Sequence, residues 1–306
     1  MWTWTMNLIR SWGRPETRKR EVGICHGEAM PPRDCILWSL HKGWCWVWLL
    51  LGVLALAGTI GGCTSSAHGL DRVAASGVLR VALDPSFPPF ESVDADGNLQ
   101  GLDVDLAREI AGRLDLQVHF VTTGYDALYD ALAVGRADII LSALYPDPSR
   151  TAGYVFSQPY FDAGEVVLVT RESPITGLQD LAGHTVACVF GTAGHMAVLE
   201  WQDTWREPPE LMVVSSVITV PHLVETGVVD AAIVDRVSAL VALSEDGDLR
   251  ILESSVTEEP YVVAARRQDA TLIEAVDRVL EAMFDDGTIT RLIQRWMRAE
   301  TIPSSF

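Results

Sequence analysis

The chain has 306 residues, 23 basic against 41 acidic, and a formal net charge of −18. So acidic a balance excludes a nucleic-acid partner and electrostatic attachment to anionic lipid. Four of the five cysteines lie in the first 63 residues. Cys188 is alone downstream, so no intramolecular disulfide braces that part; about 240 residues bury a sizeable core without one.

Residues 1–63 have a composition of their own. They hold seven of the ten Trp and both Lys, Lys19 and Lys42. Trp44 to Ile60 is an uninterrupted apolar run behind Arg33, His41 and Lys42. A basic flank, an apolar run and then small residues describe a secretory signal. The run is at the short end of the roughly 20 residues that span the hydrocarbon, and it closes on Ile60-Gly61-Gly62-Cys63. That ending resembles a bacterial lipobox, which implies cleavage before Cys63 and lipidation of its thiol. Residues 1–29 are unusual for a signal, and a start at Met30 gives a conventional length. From Cys63 on, the chain carries 16 Arg, no Lys and 37 acidic residues. Residues 64–75, small and polar at their start, read as a tether.

From Val78 short strands alternate with amphipathic helices. Val78–Leu83 is an apolar strand that stops at Asp84, followed by the Pro-rich turn Phe87-Pro88-Pro89-Phe90-Glu91 and a hairpin-like turn, Asp94–Asn98. Leu102, Leu106, Ile110 and Leu114 recur at i, i+4 and predict a helix with one apolar face. Strands are expected at Leu116–Val121 and Asp138–Leu141, with a helix at Tyr125–Ala133 between them. Glu165–Val169 begins a second series. Its strands are Thr185–Val189, Leu211–Val214, Asp230–Val234 and Leu249–Leu252, and its helices lie at Gly194–Trp201, His222–Thr226 and Arg236–Leu243. Tyr261–Ala265 reads as one returning strand before helices at Leu272–Phe284 and Ile289–Met297. The alternation implies an α/β protein of mainly parallel sheets. Two βα series joined by two crossings imply two lobes with a cleft between them, the first at 76–163 plus 260–306 and the second at 164–259.

Several local patterns then follow in order: Asp84 with Phe87-Pro88-Pro89-Phe90, Gly101-Leu102-Asp103-Val104-Asp105-Leu106, Gly135-Arg136-Ala137-Asp138, Ser142 with Arg150, Phe156-Ser157-Gln158-Pro159-Tyr160, Asp180-Leu181-Ala182-Gly183, Gly191-Thr192 and Gly227-Val228-Val229-Asp230-Ala231-Ala232. Each is weak alone. Together they resemble the bacterial extracellular solute-binding proteins of the polar amino-acid family, receptors that feed ABC importers, over essentially the whole chain from Val78 to Trp296. The resemblance implies a two-lobed periplasmic-binding-protein-like fold, a monomer that closes about a hinge of two crossing strands, an amino-acid ligand, a membrane permease as partner and no cofactor.

It also implies roles. Arg150 matches the clamp on the ligand's α-carboxylate, where a planar guanidinium offers two parallel donors; an exposed loop Arg is the plain alternative. Asp235 matches the acceptor of the α-ammonium, at the mouth of a strand where ligands bind in such sheets. It also suits a helix cap at Arg236, and one oxygen could do each. Phe87 and Tyr125 match aromatic walls, against ordinary packing. Ser142 offers a hydroxyl beside Arg150, and Thr192 with nearby N–H groups offers donors to the carboxylate. Asp84 matches a contact to the ligand's distal end, which favours a polar or cationic side chain, or it fixes the turn before Pro85. Ala143, Tyr145 and Ala193 depart from the family's frequent small hydroxyl or Gly residues and put the ligand's identity in question.

The rival of another class is an exported enzyme on the same fold, such as a dehydratase acting on a cyclic carboxylate. It would need an acid or base in the cleft, for which Glu165 or His195 could serve. The seven His show no metal-ligand spacing, Cys188 sits in an apolar strand as a small core residue, and no phosphate loop is present. The chain ends soon after Trp296 with no output module, so a sensory input domain is not expected.

Overall fold

The computed structural model describes residues 69–244 and 247–298. The signal, Met30, Cys63 and residues 64–68 lie outside the described residues.

The first correction concerns the tether. Residues 70–75 are not extended: Leu70–Ser76 is a helix, α1. Val73 is fully buried in the core. Arg72 reaches Asp138 at 2.7 Å, and the Gly69 N–H donates to Asp269 at 2.6 Å. A buried apolar anchor and two polar ones hold the segment down, which its small-residue composition did not reveal.

The first sheet grows around β1 (Val78–Leu83), which has Leu79, Val81, Ala82 and Leu83 fully buried. Burial on both faces explains its near-continuous apolar run. A small hairpin, β2 (Ser92–Val93) and β3 (Leu99–Gln100), leads to α2 (Leu102–Arg113). Gly101 makes this junction possible. Its φ is +134°, and a Cβ there would collide with the Phe90 carbonyl. The close approach lets Leu102 N–H donate to Pro89 O at 3.0 Å and Asp103 N–H to Phe90 O at 2.9 Å. The helix head is thereby fixed on the Phe87–Glu91 turn.

β4 (Gln117–Thr122), α3 (Leu128–Ala133), β5 (Ile139–Ile140), β6 (Tyr154–Phe156) and β7 (Phe161–Asp162) follow. The second sheet uses β8 (Glu165–Thr170) and β9 (Thr185–Val189), then α4 (Ala193–Thr204), β10 (Glu210–Val214) and α5 (Val220–Glu225). It is completed by β11 (Ala231–Asp235), α6 (Arg236–Ser244) and β12 (Leu249–Ser255). The chain then returns through β13 (Pro260–Tyr261) and β14 (Ala264–Arg266) to α7 (Ala270–Asp285) and α8 (Thr288–Trp296).

The two sheets have matching plans, β4-β1-β5-β14-β6 and β10-β9-β11-β8-β12. In each, three strands are parallel and the last two pairings are antiparallel. The expectation of mainly parallel sheets therefore holds for one side of each. The other side is antiparallel because a strand that enters by a crossing runs against the βα series. The expected single strand Tyr261–Ala265 is broken in two. Pro260–Tyr261 pairs with β7 outside both sheets, while Ala264–Arg266 joins the first sheet. These paired crossings connect the sheets. At Gly164 a Cβ would collide with the Thr257 carbonyl, so the two crossing segments run in close backbone contact.

α7 shows how the first sheet's outer face is covered. Leu272, Ile273, Val276, Val279, Leu280 and Met283 are buried at helical spacing. Each is worth about 1.5–3 kcal/mol of transfer energy.

Candidate ligand cleft

β1 stops at Asp84, whose N–H donates to the Ser142 hydroxyl at 3.0 Å and whose Oδ2 accepts from the Tyr125 N–H at 2.8 Å. Asp84 thus stitches together three loops at one end of the first sheet. Ser142 is fully buried. Its hydroxyl donates to Glu91 Oε1 at 2.7 Å while accepting from Asp84. The expected hydroxyl beside Arg150 is therefore engaged inside the lobe. Ala143, also buried, has φ +42°, a left-handed conformation uncommon for a residue with a Cβ. Its N–H donates to Asp103 Oδ2 at 2.6 Å.

Arg150 ends a short 3-10 turn, Pro148–Arg150. Its Nε donates to Asp147 Oδ2 at 3.0 Å, and its guanidinium lies 4.3 Å from the Tyr129 ring centroid. Stacking and the Asp147 contact hold a half-exposed guanidinium in place. Asp147 caps the same turn, and its Ser149 hydrogen bonds followed by the Arg150 charge hold its carboxyl below the usual range. Phe87 and Tyr125 are 40% and 45% exposed, more than core packing gives an aromatic ring. Phe87 stacks on the buried Phe90 at 5.6 Å. Burial raises the Tyr125 phenol, against a contact with the Tyr145 backbone that lowers it.

In the second lobe Asp235 ends β11 and caps α6. Its Oδ1 accepts from the Ser238 N–H at 2.9 Å and its Oδ2 from the Ser238 hydroxyl at 2.6 Å. The expected division of labour, one oxygen capping and one facing the cleft, is not what the geometry gives: both oxygens serve the cap. Each retains a lone pair for another donor. Thr192 caps α4; its hydroxyl accepts from the His195 N–H at 3.2 Å and donates to Val189 O at 3.1 Å. The Thr192 hydroxyl is thus engaged within its own lobe.

A cavity of about 530 Å³ opens between the Phe87–Phe90 turn, the α6 residues Val237 and Val241, and Ile218. Of the expected site residues, Phe87 and Asp235 line it; Arg150, Ser142, Ala143, Tyr125, Asp84 and Thr192 do not. The cavity also touches Glu259 and Tyr261 of the crossing. There Tyr145, one of the departures from the family's pattern, donates its hydroxyl to Glu259 Oε2 at 3.1 Å and meets the Tyr261 hydroxyl at 3.3 Å.

Three carboxyls near the cleft had no assigned ligand role. Glu165 begins β8 as the cross-strand partner of Asp235. It is 6% exposed and its Oε2 finds no donor among the described residues. Burial raises its carboxyl, contacts with the Gly194 N–H and the Thr192 hydroxyl oppose that, and the Asp235 charge adds to it. Glu91 and Asp103 are 1% and 0% exposed. For Asp103 a sequence signal existed, because it falls on the face that α2 buries, with Ala107 and Ile110. Among the described residues no group of three or more His, Cys, Asp or Glu is placed to hold a metal ion, and no helix is long and apolar enough to cross a membrane.

Comparison with known proteins agrees with this architecture. Residues 79–299 match the bacterial extracellular solute-binding proteins, family 3. A probable amino-acid ABC transporter-binding protein of Haemophilus influenzae is 29% identical over 254 residues, covering 81% of this chain and 96% of that protein. The L-cystine-binding protein of Escherichia coli is 28% identical over 257 residues, covering 82% of this chain and 95% of the other. Among solved structures, an ancestral cyclohexadienyl dehydratase is 26% identical with a TM-score of 0.65, covering 76% of this chain and 97% of that one. With the match running through both sheets, the crossings and the C-terminal helices, the chain belongs to the bacterial extracellular solute-binding proteins, family 3.

Proposed function

We propose that this protein is the substrate-binding receptor of an ABC importer and that it captures an amino acid by closing its two lobes. The observation that carries the reading is the placement of opposite charges. Arg150, held half exposed on Tyr129, belongs to the first lobe. Asp235, at the end of β11 and on the wall of the cavity, belongs to the second. A zwitterion engages one group with its carboxylate and the other with its ammonium. Such a ligand stabilises the closed arrangement over the open one, and that difference in affinity drives closure. Motion is expected about the paired crossings β7 and β13. Phe87 and Tyr125 supply the walls for the side chain. Asp84 and the backbone of Ala143 shape its surroundings from the first lobe, and the head of α4 after Thr192 does so from the second. The acidic groups Asp84, Glu165, Asp235 and Glu259 favour a polar or cationic side chain.

The remainder of the reading concerns place and partner. Export by the N-terminal signal and lipidation of Cys63 would hold a monomeric receptor on the outer face of the cytoplasmic membrane, beside the permease that takes its ligand. A diacyl group anchors stably where a single chain binds marginally.

Calorimetric titration of the full chain in mild detergent with the proteinogenic L-amino acids and L-cystine tests the central part. Tight one-to-one binding of one chemical class, abolished by Arg150→Ala, is expected. Binding that survives Arg150→Ala refutes the carboxylate clamp, and steady heat from turnover of an added carboxylate would favour an enzyme.

A further inference from the structure

Glu91 and Asp103 form a buried acid pair inside the first lobe, and its outer contacts run to the loops of the cleft. Glu91 Oε1 accepts from the Ser142 hydroxyl at 2.7 Å, and Ser142 in turn accepts from the Asp84 N–H. Asp103 Oδ2 accepts from the Ala143 N–H at 2.6 Å and from the Tyr160 hydroxyl at 2.8 Å. The remaining oxygens, Glu91 Oε2 and Asp103 Oδ1, are buried and find no donor among the described residues. Two orphaned carboxyl oxygens satisfy each other only when one of the acids keeps its proton and donates it to the other, because two ionised carboxylates offer acceptors alone. The groups that face the pair are Asp84, Tyr125, Tyr160 and Tyr261, all neutral or negative. No cation is among them to let both acids ionise. Burial raises both acids, and the charge of Asp103 raises Glu91 further, so the pair holds one proton between them.

We propose that Glu91 and Asp103 are positioning residues for ligand capture, a pair sharing one proton that fixes the Asp84, Ser142 and Ala143 segments at the cleft. Three observations join here. Ala143 is held at a left-handed φ by an Asp103 bond. The Ser142 hydroxyl is oriented by Glu91, and Asp84 rests on that hydroxyl. Both acids are anchored by backbone contacts of their own, since the Glu91 N–H donates to Phe87 O at 3.0 Å and the Asp103 N–H to Phe90 O. The pair thus links the aromatic wall at Phe87 to the loop that leads to Arg150, although neither acid reaches the ligand. A buried polar network has this effect only when every member is satisfied.

The proposal rests on the amino-acid-receptor reading, and the experiment separates the two. Calorimetric Kd values for the amino acid that binds best are measured on the full chain as wild type, Arg150→Ala, Glu91→Ala, Glu91→Gln and Asp103→Asn, with near-UV circular dichroism and thermal unfolding for each. Glu91→Gln keeps an acceptor for Ser142 and a donor for Asp103, so its Kd should stay within about twofold of wild type. Glu91→Ala strands both partners and should weaken binding roughly tenfold or more while the fold persists. Asp103→Asn weakens the hold on Ala143 and Tyr160 and should fall between them. If Glu91→Ala does not fold, the Asp103→Asn Kd decides, and a wild-type value there overturns the proposal. Equal Kd values for wild type and Glu91→Ala, with Arg150→Ala inactive, overturn it while leaving the receptor intact. If no amino acid binds the wild type, both readings fall.

Discussion

The two lobes bring their polar groups to the cleft by different means. In the first, Asp84, Ser142 and Ala143 are tied into a buried acid pair, and Arg150 is stacked on Tyr129. In the second, Asp235 and Thr192 are helix caps, bonded to Ser238 and to His195 and Val189. On the proposed reading the first lobe is a preorganised half-site, with little conformational entropy left to lose when ligand arrives. The second offers the same groups that hold up α4 and α6. The comparison suggests an order of events: ligand docks on the first lobe, and the second closes over it.

The largest expected effect lies in the first lobe. Arg150→Ala should weaken binding about a hundredfold or more, because truncating one partner of a desolvated charge pair costs ~2–5 kcal/mol. Its unfolding midpoint should barely move, since the side chain is half exposed and makes one ion pair. Asp235→Ala should weaken binding by a smaller factor, roughly ten- to a hundredfold, and unlike Arg150→Ala should also cost ~1 kcal/mol of stability through the lost cap. If Asp235→Ala changes stability alone, its role is structural and the comparison between the lobes must be redrawn. Gly101→Ala should cost ~1–3 kcal/mol from the strained φ, and more through its collision with Phe90; urea unfolding measures it. This change also disturbs the junction of Glu91 with Asp103, so affinity should fall with stability. Thr192→Ala is the mildest, at about 1 kcal/mol, and should affect unfolding more than binding.

Acidity sharpens the same contrast. Burial raises Glu91 above the ordinary Glu value of about 4.3. A group whose folded pKa is raised stabilises fully below the unfolded value, and that contribution is lost as pH rises. Relative to Glu91→Gln, wild-type stability should therefore decline by up to about 1 kcal/mol per pH unit above pH ~4.3. Parallel profiles for the two proteins across pH 4–7 would mean that Glu91 is ionised in the fold.

What was legible in the sequence follows the same division. The strand at Val78–Leu83 and the helix at Leu102–Arg113 could be read because burial imposes a local period on them. The strands at Tyr154–Phe156 and Phe161–Asp162 could not, since two or three residues carry no period. Helix α1 was hidden because its anchor, Asp269, lies 200 positions away. In the candidate site, Arg150 and Asp235 were assigned through the resemblance to the family. The true partner of the Ser142 hydroxyl, Glu91, is 51 residues upstream and on another element. Asp235 shows the limit most plainly: the cap was read correctly from its place before Arg236, but only the geometry reveals that both oxygens take part.

The most direct test of the account is small-angle X-ray scattering of wild type and Asp235→Ala, each with and without a saturating concentration of the best-binding amino acid. The account predicts a smaller radius of gyration for liganded wild type and no change for Asp235→Ala, whose ligand rests on the first lobe alone. Equal compaction of both proteins, or none in a wild type that binds tightly, would contradict it.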